Sequence, residues 1–103
     1  MDIIKSTAEY DALLKDNKSV FVDFYADWCG PCKMAGPVVE ALAGIHTGVK
    51  FVKVNVDNNP DIAQRYGIMS IPTMFAFKNG EQVATSLGFR PQEELEEIVK
   101  AAE

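Results

Sequence analysis

The chain predicts an α/β fold, a central mixed five-stranded sheet flanked by four helices. Three observations carry that expectation. Val20-Phe21-Val22-Asp23-Phe24-Tyr25-Ala26 and Phe51-Val52-Lys53-Val54-Asn55-Val56 are near-continuous apolar runs. They read as strands buried on both faces, as in a parallel sheet covered by helices. Segments with apolar residues at i, i+3 and i+4 lie between them and argue for helices. Asn79-Gly80 then stands between two strand-like runs, a strong type I′ hairpin signal that adds antiparallel strands.

Taken in order, residues 2–5 suit a short edge strand. Ser6 followed by Glu9 is a capping box, and Tyr10, Leu13 and Leu14 give one apolar helical face that stops near Asn17. The Val20–Ala26 strand leads into a helix from about Cys29 toward His46. Pro37 inside it removes the backbone bond to Lys33, so a kink is expected. Val38, Val39, Leu42 and Ile45 are its expected core contacts, and His46 reads as a solvated helix-end residue without a role. Asp57-Asn58-Asn59-Pro60 is a turn and helix start, and Gly67 suits the position just past that helix. Pro72 cannot sit in a central ladder, so it marks a strand start or a special turn before Met74-Phe75-Ala76-Phe77. The return strand runs from Gln82 to Leu87, and Gly88 allows close backbone approach or positive φ. Pro91 is expected at the first position of the last helix, with Glu93 and Glu94 near its positive end. Leu95, Ile98, Val99 and Ala102 form its buried stripe. The order is β-α-β-α-β-α-β-β-α, with right-handed crossovers between parallel strands.

At 103 residues the expectation is a single domain spanning 1–103, and 48% hydrophobic residues suffice for a core. The formal net charge of −5 argues against nucleic acid and against anionic membrane surfaces. No signal-like leader and no bilayer-length apolar run is visible, so a cytoplasmic location without membrane partners is expected. A monomer is the default. In a reducing cytosol a cysteine pair is more often catalytic than structural.

Both cysteines lie in Ala26-Asp27-Trp28-Cys29-Gly30-Pro31-Cys32-Lys33, at the carboxyl end of a central strand, where open α/β sheets place their sites. Residues i and i+3 of a helix are neighbours at roughly 5–6 Å between Cβ atoms, so Cys29 and Cys32 can open and close a disulfide with little backbone movement. Pro31 suits a first helical turn, and Gly30 leaves room for a partner chain beside the sulfurs. The helix N-terminus favours a thiolate on Cys29, the expected nucleophile. Cys32, one turn inside, is the expected resolving thiol and should be the more buried. A structural zinc site wants four ligands, whereas the chain offers two cysteines and His46, roughly 25 Å away along a helix. The same separation argues against a Cys–His dyad. A purely structural bridge stabilises little across so short a loop.

Asp23 interrupts the first buried strand. Burial should raise its pKa, unless it sits at the strand edge and reaches water. Lys53 interrupts the second strand. It either pairs with Asp23 from a neighbouring strand or snorkels to the sheet end.

Trp28-Cys29-Gly30-Pro31-Cys32, with Asp23 upstream, Pro37 in the helix, Lys53-Val54-Asn55-Val56-Asp57, Ile71-Pro72-Thr73, Phe77-Lys78-Asn79-Gly80 and Gly88, resembles the thioredoxin family along essentially the whole chain. The resemblance implies a thioredoxin fold and a thiol–disulfide oxidoreductase that reduces protein disulfides. It implies a cis Pro72 facing the cysteines and an Ile71 backbone that holds an extended substrate strand by β-augmentation. The implied docking surface comprises Trp28, Gly30, Pro31, Ile71, Pro72, Leu87, Gly88 and Phe89. Asp23 would accept the Cys32 proton, with Lys53 modulating it. No cofactor would be bound beyond the redox-active disulfide. A flavoprotein thioredoxin reductase using NADPH would restore the dithiol, and disulfide-containing proteins would be the substrates. Tyr25, where many members carry a second Trp, departs from the pattern, as do Ser70, Gly36 and Phe89. None of them carries the reacting groups. The competing reading is a redox-independent binding module that uses the surface around Trp28 and Pro72.

Overall fold

The computed structural model describes residues 1–103. Its elements are β1 (Asp2–Ile3), α1 (Thr7–Asp16), β2 (Ser19–Tyr25), α2 (Gly30–Ile45), β3 (Lys50–Asn55), α3 (Pro60–Arg65), β4 (Thr73–Lys78), β5 (Glu81–Leu87) and α4 (Gln92–Ala102). The five strands form one sheet in the order β1-β3-β2-β4-β5. β3 runs parallel to both β1 and β2, and β4 runs antiparallel to β2 and β5. The predicted mixed sheet and four helices are therefore present.

Strand alternation splits the core into two layers. Phe21, Phe51, Met74 and Ala76 face Ala35, Val39 and Leu42 of α2 and Leu95, Val99 and Ala102 of α4. Val20, Val22, Phe24, Val52, Val54, Phe75 and Phe77 face Tyr10 of α1 and Ile62 of α3. Period 2 then puts Asp23 and Tyr25 on the Phe21 side, and Lys53 on the Phe51 side, both toward α2.

Local signals act where the sequence places them. The Ser6 hydroxyl accepts the Glu9 N–H at 3.1 Å, and the Glu9 carboxylate takes the Lys5 N–H at 3.1 Å. Asn17 caps the end of α1, its amide donating to the Leu13 carbonyl at 2.9 Å. Asn79 and Gly80 have φ of 53° and 81°, both positive as a type I′ turn requires. Gly67 ends the third helix region at φ 61°. α2 runs from Gly30 to Ile45 as one helix through Pro37.

Two expectations about helix ends are corrected. Pro91 is not the first residue of α4 but its N-cap, with an extended ψ of 163°. Its carbonyl accepts from the Glu94 and Leu95 N–H groups, so the helix begins at Gln92. Ile45 is not a core residue, being 58% exposed, and His46 is not solvated. The buried stripe of α2 steps through Cys32, Ala35, Val39 and Leu42, and the next inward position at that 3-4 spacing is 46. His46 takes it and reaches across to α4. Its Nε2 lies 2.7 Å from a Glu96 carboxylate oxygen and its Nδ1 3.0 Å from one of Glu103.

Only an imidazolium has two N–H donors, so this geometry belongs to protonated His46. The hydrogen bonds to Glu103 and Glu96 hold its pKa above the ordinary histidine value. A raised histidine pKa stabilises the fold fully below the unfolded value of about 6.5 and loses that contribution as pH rises through the folded value. Replacing His46 with Ala should therefore lower Tm clearly at pH 6 and much less at pH 9, with α4 the element whose amide exchange accelerates most.

Candidate active site

β2 ends at Tyr25, and the turn Ala26-Asp27-Trp28 carries the chain straight into α2. The Cys29 N–H donates to the Ala26 carbonyl at 3.2 Å, which closes that turn. Cys29 is the N-cap of α2, with Pro31 in the first turn. Its Sγ accepts the Cys32 backbone N–H at 3.2 Å, the bond that a Ser or Asp cap makes through oxygen. Cys29 and Cys32 form a disulfide with their Cα atoms 5.2 Å apart. When the bridge opens, the same N–H and the helix dipole favour a thiolate on Cys29.

Cys32 is not the more buried of the two: Cys29 is 3% exposed and Cys32 6%. Ala26 and Ile71 cover the pair, and the Ile71 carbonyl oxygen stands 3.8 Å from Cys29 Sγ. Cys32 opens instead onto a cleft of about 380 Å³, lined by Asp23, Tyr25, Ala26, Asp27, Lys33, Gly36 and Lys53. The two sulfurs thus face different surroundings, Cys29 toward the loop before β4 and Cys32 toward the acid cleft.

Asp23 is 2% exposed, and its Oδ1 has no hydrogen-bond partner. Burial pushes its pKa from the ordinary value of 3.8 up to about 6, against a smaller downward pull from Lys53. At 2% exposure Asp23 is not a strand-edge carboxylate in open water, although it lines the cleft. The strand register sets Asp23 beside Lys53 on β3, as a pairing requires. The ion pair nevertheless does not form. The Lys53 Nζ lies over the Tyr25 ring, 4.4 Å from its centroid. Lys53 therefore acts on Asp23 through space.

Of the docking residues implied by the motif, Ile71, Pro72 and Gly88 are brought together beside Cys29. The Ile71–Pro72 peptide bond is cis. The Gly88 N–H donates to the Pro72 carbonyl at 2.8 Å, tying the end of β5 to that loop, and Gly88 takes a φ of 78°. Leu87 and Phe89 flank it with exposed apolar side chains, and Gly30 and Pro31 are exposed at the start of α2. Trp28 is 71% exposed, yet fixed, its indole Nε1–H donating to an Asp57 carboxylate oxygen at 2.9 Å.

Three neighbours escaped the sequence reading. Asp57 holds Trp28, and its signal was an acid closing Lys53-Val54-Asn55-Val56 near an indole that needs an acceptor. Val56, like Ile71, packs against the cluster of Ala26 and the two cysteines. Met69, 97% exposed, stands two residues before Ile71, and no pattern in the sequence distinguished it from a core methionine.

The raised Asp23 pKa carries a sign that can be measured. Between about pH 4 and pH 6 the unfolded chain ionises Asp23 while the folded one keeps it neutral, so stability falls as pH rises. A rise from 3.8 to about 6 corresponds to about 3 kcal/mol. Asp23→Asn should remove that slope. Denaturant unfolding should find the variant's stability relative to the parent rising by up to about 3 kcal/mol from pH 4 to pH 8. A constant difference would mean that Asp23 titrates normally.

The thioredoxin family model matches residues 2–101. The thioredoxin of Mycoplasmoides gallisepticum is 47% identical over 100 residues, covering 97% of this chain and 100% of its own. That of Bacillus subtilis is 46% identical over 100 residues, covering 96% of each chain. Among solved structures, Plasmodium falciparum thioredoxin superposes with a TM-score of 0.94 at 36% identity, over 100% of both chains. With a cysteine pair closed at the N-terminus of α2 and relatives matched over nearly their full length, the chain belongs to the thioredoxin family and is a thiol–disulfide oxidoreductase that reduces protein disulfides.

Proposed function

We propose that the chain, working as one domain and as a monomer, reduces protein disulfides in two exchanges with separate roles for the two sulfurs. The Cys29 thiolate attacks one sulfur of a substrate disulfide. The Cys29–substrate bond forms, the substrate S–S bond breaks, and the other substrate sulfur leaves as a thiolate. Asp23 then takes the proton of Cys32, directly or through water. The Cys32 thiolate attacks Cys29 Sγ, closing the Cys29–Cys32 bridge and expelling the second substrate sulfur. The substrate has gained two electrons, and the chain holds the disulfide.

The observation that carries this division is the pair of unlike surroundings. Cys29 Sγ receives the Cys32 N–H at the helix start. Cys32 faces the Asp23 cleft. An acid with a pKa of about 6 is ionised at neutral pH, yet basic enough to accept a thiol proton. Substrate would lie across Trp28, Gly30, Pro31, Ile71, Pro72, Leu87, Gly88 and Phe89, adding main-chain hydrogen bonds at Ile71 and apolar contact around it. No cofactor need be bound for either exchange. A thioredoxin reductase drawing electrons from NADPH would regenerate the dithiol, in the cytoplasm, where a low potential keeps such a pair reduced. Net charge of −5 and the absence of any helix long and apolar enough to cross a membrane fit protein partners rather than nucleic acid or lipid.

Trapping tests the order of attack. Cys32→Ser should accumulate a covalent Cys29–substrate mixed disulfide, visible on a non-reducing gel with a disulfide-bonded protein, and Cys29→Ser should accumulate none. Trapping through Cys32 alone would reverse the assignment. Asp23→Asn should leave the first exchange intact and slow the second by roughly 10²-fold above pH 7. It should also abolish the loss of rate expected below about pH 6 with Asp23 present. An unchanged second exchange in single turnover would remove Asp23 from the reaction.

A further inference from the structure

We propose that Tyr25 is a positioning residue, whose ring face holds the Lys53 ammonium away from the Asp23 carboxylate and thereby sets the strength of the base that serves Cys32. The inference rests on the role given to Asp23 above and adds the residue that governs it.

The geometry is specific. Asp23 and Tyr25 are two apart on β2 and so share a face, and Lys53 is the register partner of Asp23 on β3. An in-register lysine beside a buried carboxylate with an unpartnered oxygen is the arrangement from which an ion pair is expected. The ammonium instead lies 4.4 Å from the Tyr25 ring centroid, within cation–π range, and makes no ion pair. A flexible four-carbon stem gives Lys53 both options. Tyr25 and Lys53 are both partly exposed whereas Asp23 is buried, so at the ring the ammonium keeps part of the hydration that pairing with Asp23 would forfeit.

The consequence concerns proton affinity. A lysine in contact with Asp23 would make it a stronger acid and a poorer acceptor for a thiol proton. With no lysine in the cleft, burial would act unopposed and make the carboxyl a weaker acid. Parking the cation at the ring leaves an intermediate influence, consistent with a downward pull of Lys53 that is smaller than the effect of burial. The other ionisable groups facing the cleft are Asp27 from the turn and Cys32 and Lys33 from α2. Neither Asp27 nor Lys33 is hydrogen-bonded or ion-paired to Asp23.

The test follows the Asp23 carboxyl carbon by ¹³C NMR from pH 4 to pH 9 in the oxidised protein, where neither cysteine titrates. Tyr25→Phe keeps the ring and should leave the midpoint within about 0.3 of the parent. Tyr25→Leu should let Lys53 approach and lower the midpoint by about one pH unit. Lys53→Met should raise it. In the Lys53→Met background, Tyr25→Leu should have no further effect, since the ring acts through the lysine. An unchanged midpoint in Tyr25→Leu overturns the proposal. So does an equal fall with and without Lys53, because the ring would then act only by excluding water, and so does a fall in Tyr25→Phe matching that in Tyr25→Leu. Single-turnover release of substrate from Cys29, profiled against pH in the same variants, separates the two layers. A midpoint that moves without moving the rate profile upholds the positioning by Tyr25 and removes Asp23 from the exchange.

Discussion

The hydrogen bond from the Cys32 N–H to Cys29 Sγ is the contact on which the site depends. It exists because a cysteine occupies the N-cap of α2, where backbone donors point out of the helix unpaired. A cap position in turn requires a strand that delivers the chain into the helix with almost no loop. β2 does this from the middle of the sheet, with β3 on one side and β4 on the other. β4 supplies the opposite wall, since the Ile71–Pro72 segment leads directly into it and Gly88 at the end of β5 is bonded back to Pro72. Each side of the disulfide is thus held by the end of a buried strand. The sulfurs sit at the ends of core strands while Trp28, Leu87 and Phe89 remain exposed, as the docking proposed above requires.

The same central strand carries the most costly residue of the fold. Asp23 stands at 2% exposure on an otherwise apolar stretch of strand, with one carboxylate oxygen unpartnered. A residue selected for packing alone would be apolar here, as Val20, Phe21, Val22 and Phe24 are. An acid at this point weakens the fold at neutral pH and, in the reaction proposed above, gives the cleft beside Cys32 a proton acceptor. Stability and chemistry therefore pull in opposite directions at one position, and the surrounding polar groups moderate the conflict. Lys53 contributes charge without contact, and the Tyr25 ring gives that charge somewhere to rest.

Most of the fold was legible in the sequence, because local rules and tertiary demands agree. Two-sided apolar strands, the Ser6–Glu9 box, Asn79-Gly80 and the Leu95–Val99–Ala102 stripe all lead to the elements observed. The misreadings fall where a choice of one residue or one side chain decides. Pro91 has the same φ at a cap as in a first turn, and only its ψ distinguishes them. Ile45 and His46 compete for one inward position. Hydrophobicity favours the first, and the helical spacing with two carboxylates on α4 favours the second. The Cys pair and Asp23 were visible as motif and anomaly. Where Lys53 points was not, because a long flexible side chain chooses between a carboxylate and an aromatic ring on differences that no sequence pattern encodes. The near-equal burial of Cys29 and Cys32 was also hidden, since it depends on Ile71 folding over the first sulfur from a distant segment.

The reduction potential of the Cys29–Cys32 couple tests the central claim most directly. Equilibrating the protein against a dithiol redox buffer and counting free thiols at each poise would give it. A reductant of protein disulfides must lie below the cytosolic glutathione poise, roughly −220 to −260 mV by extraction, and the account predicts a value more negative than that range. A couple near −180 mV or above would belong to a disulfide-forming or disulfide-shuffling protein, and would contradict the direction of electron flow assigned here.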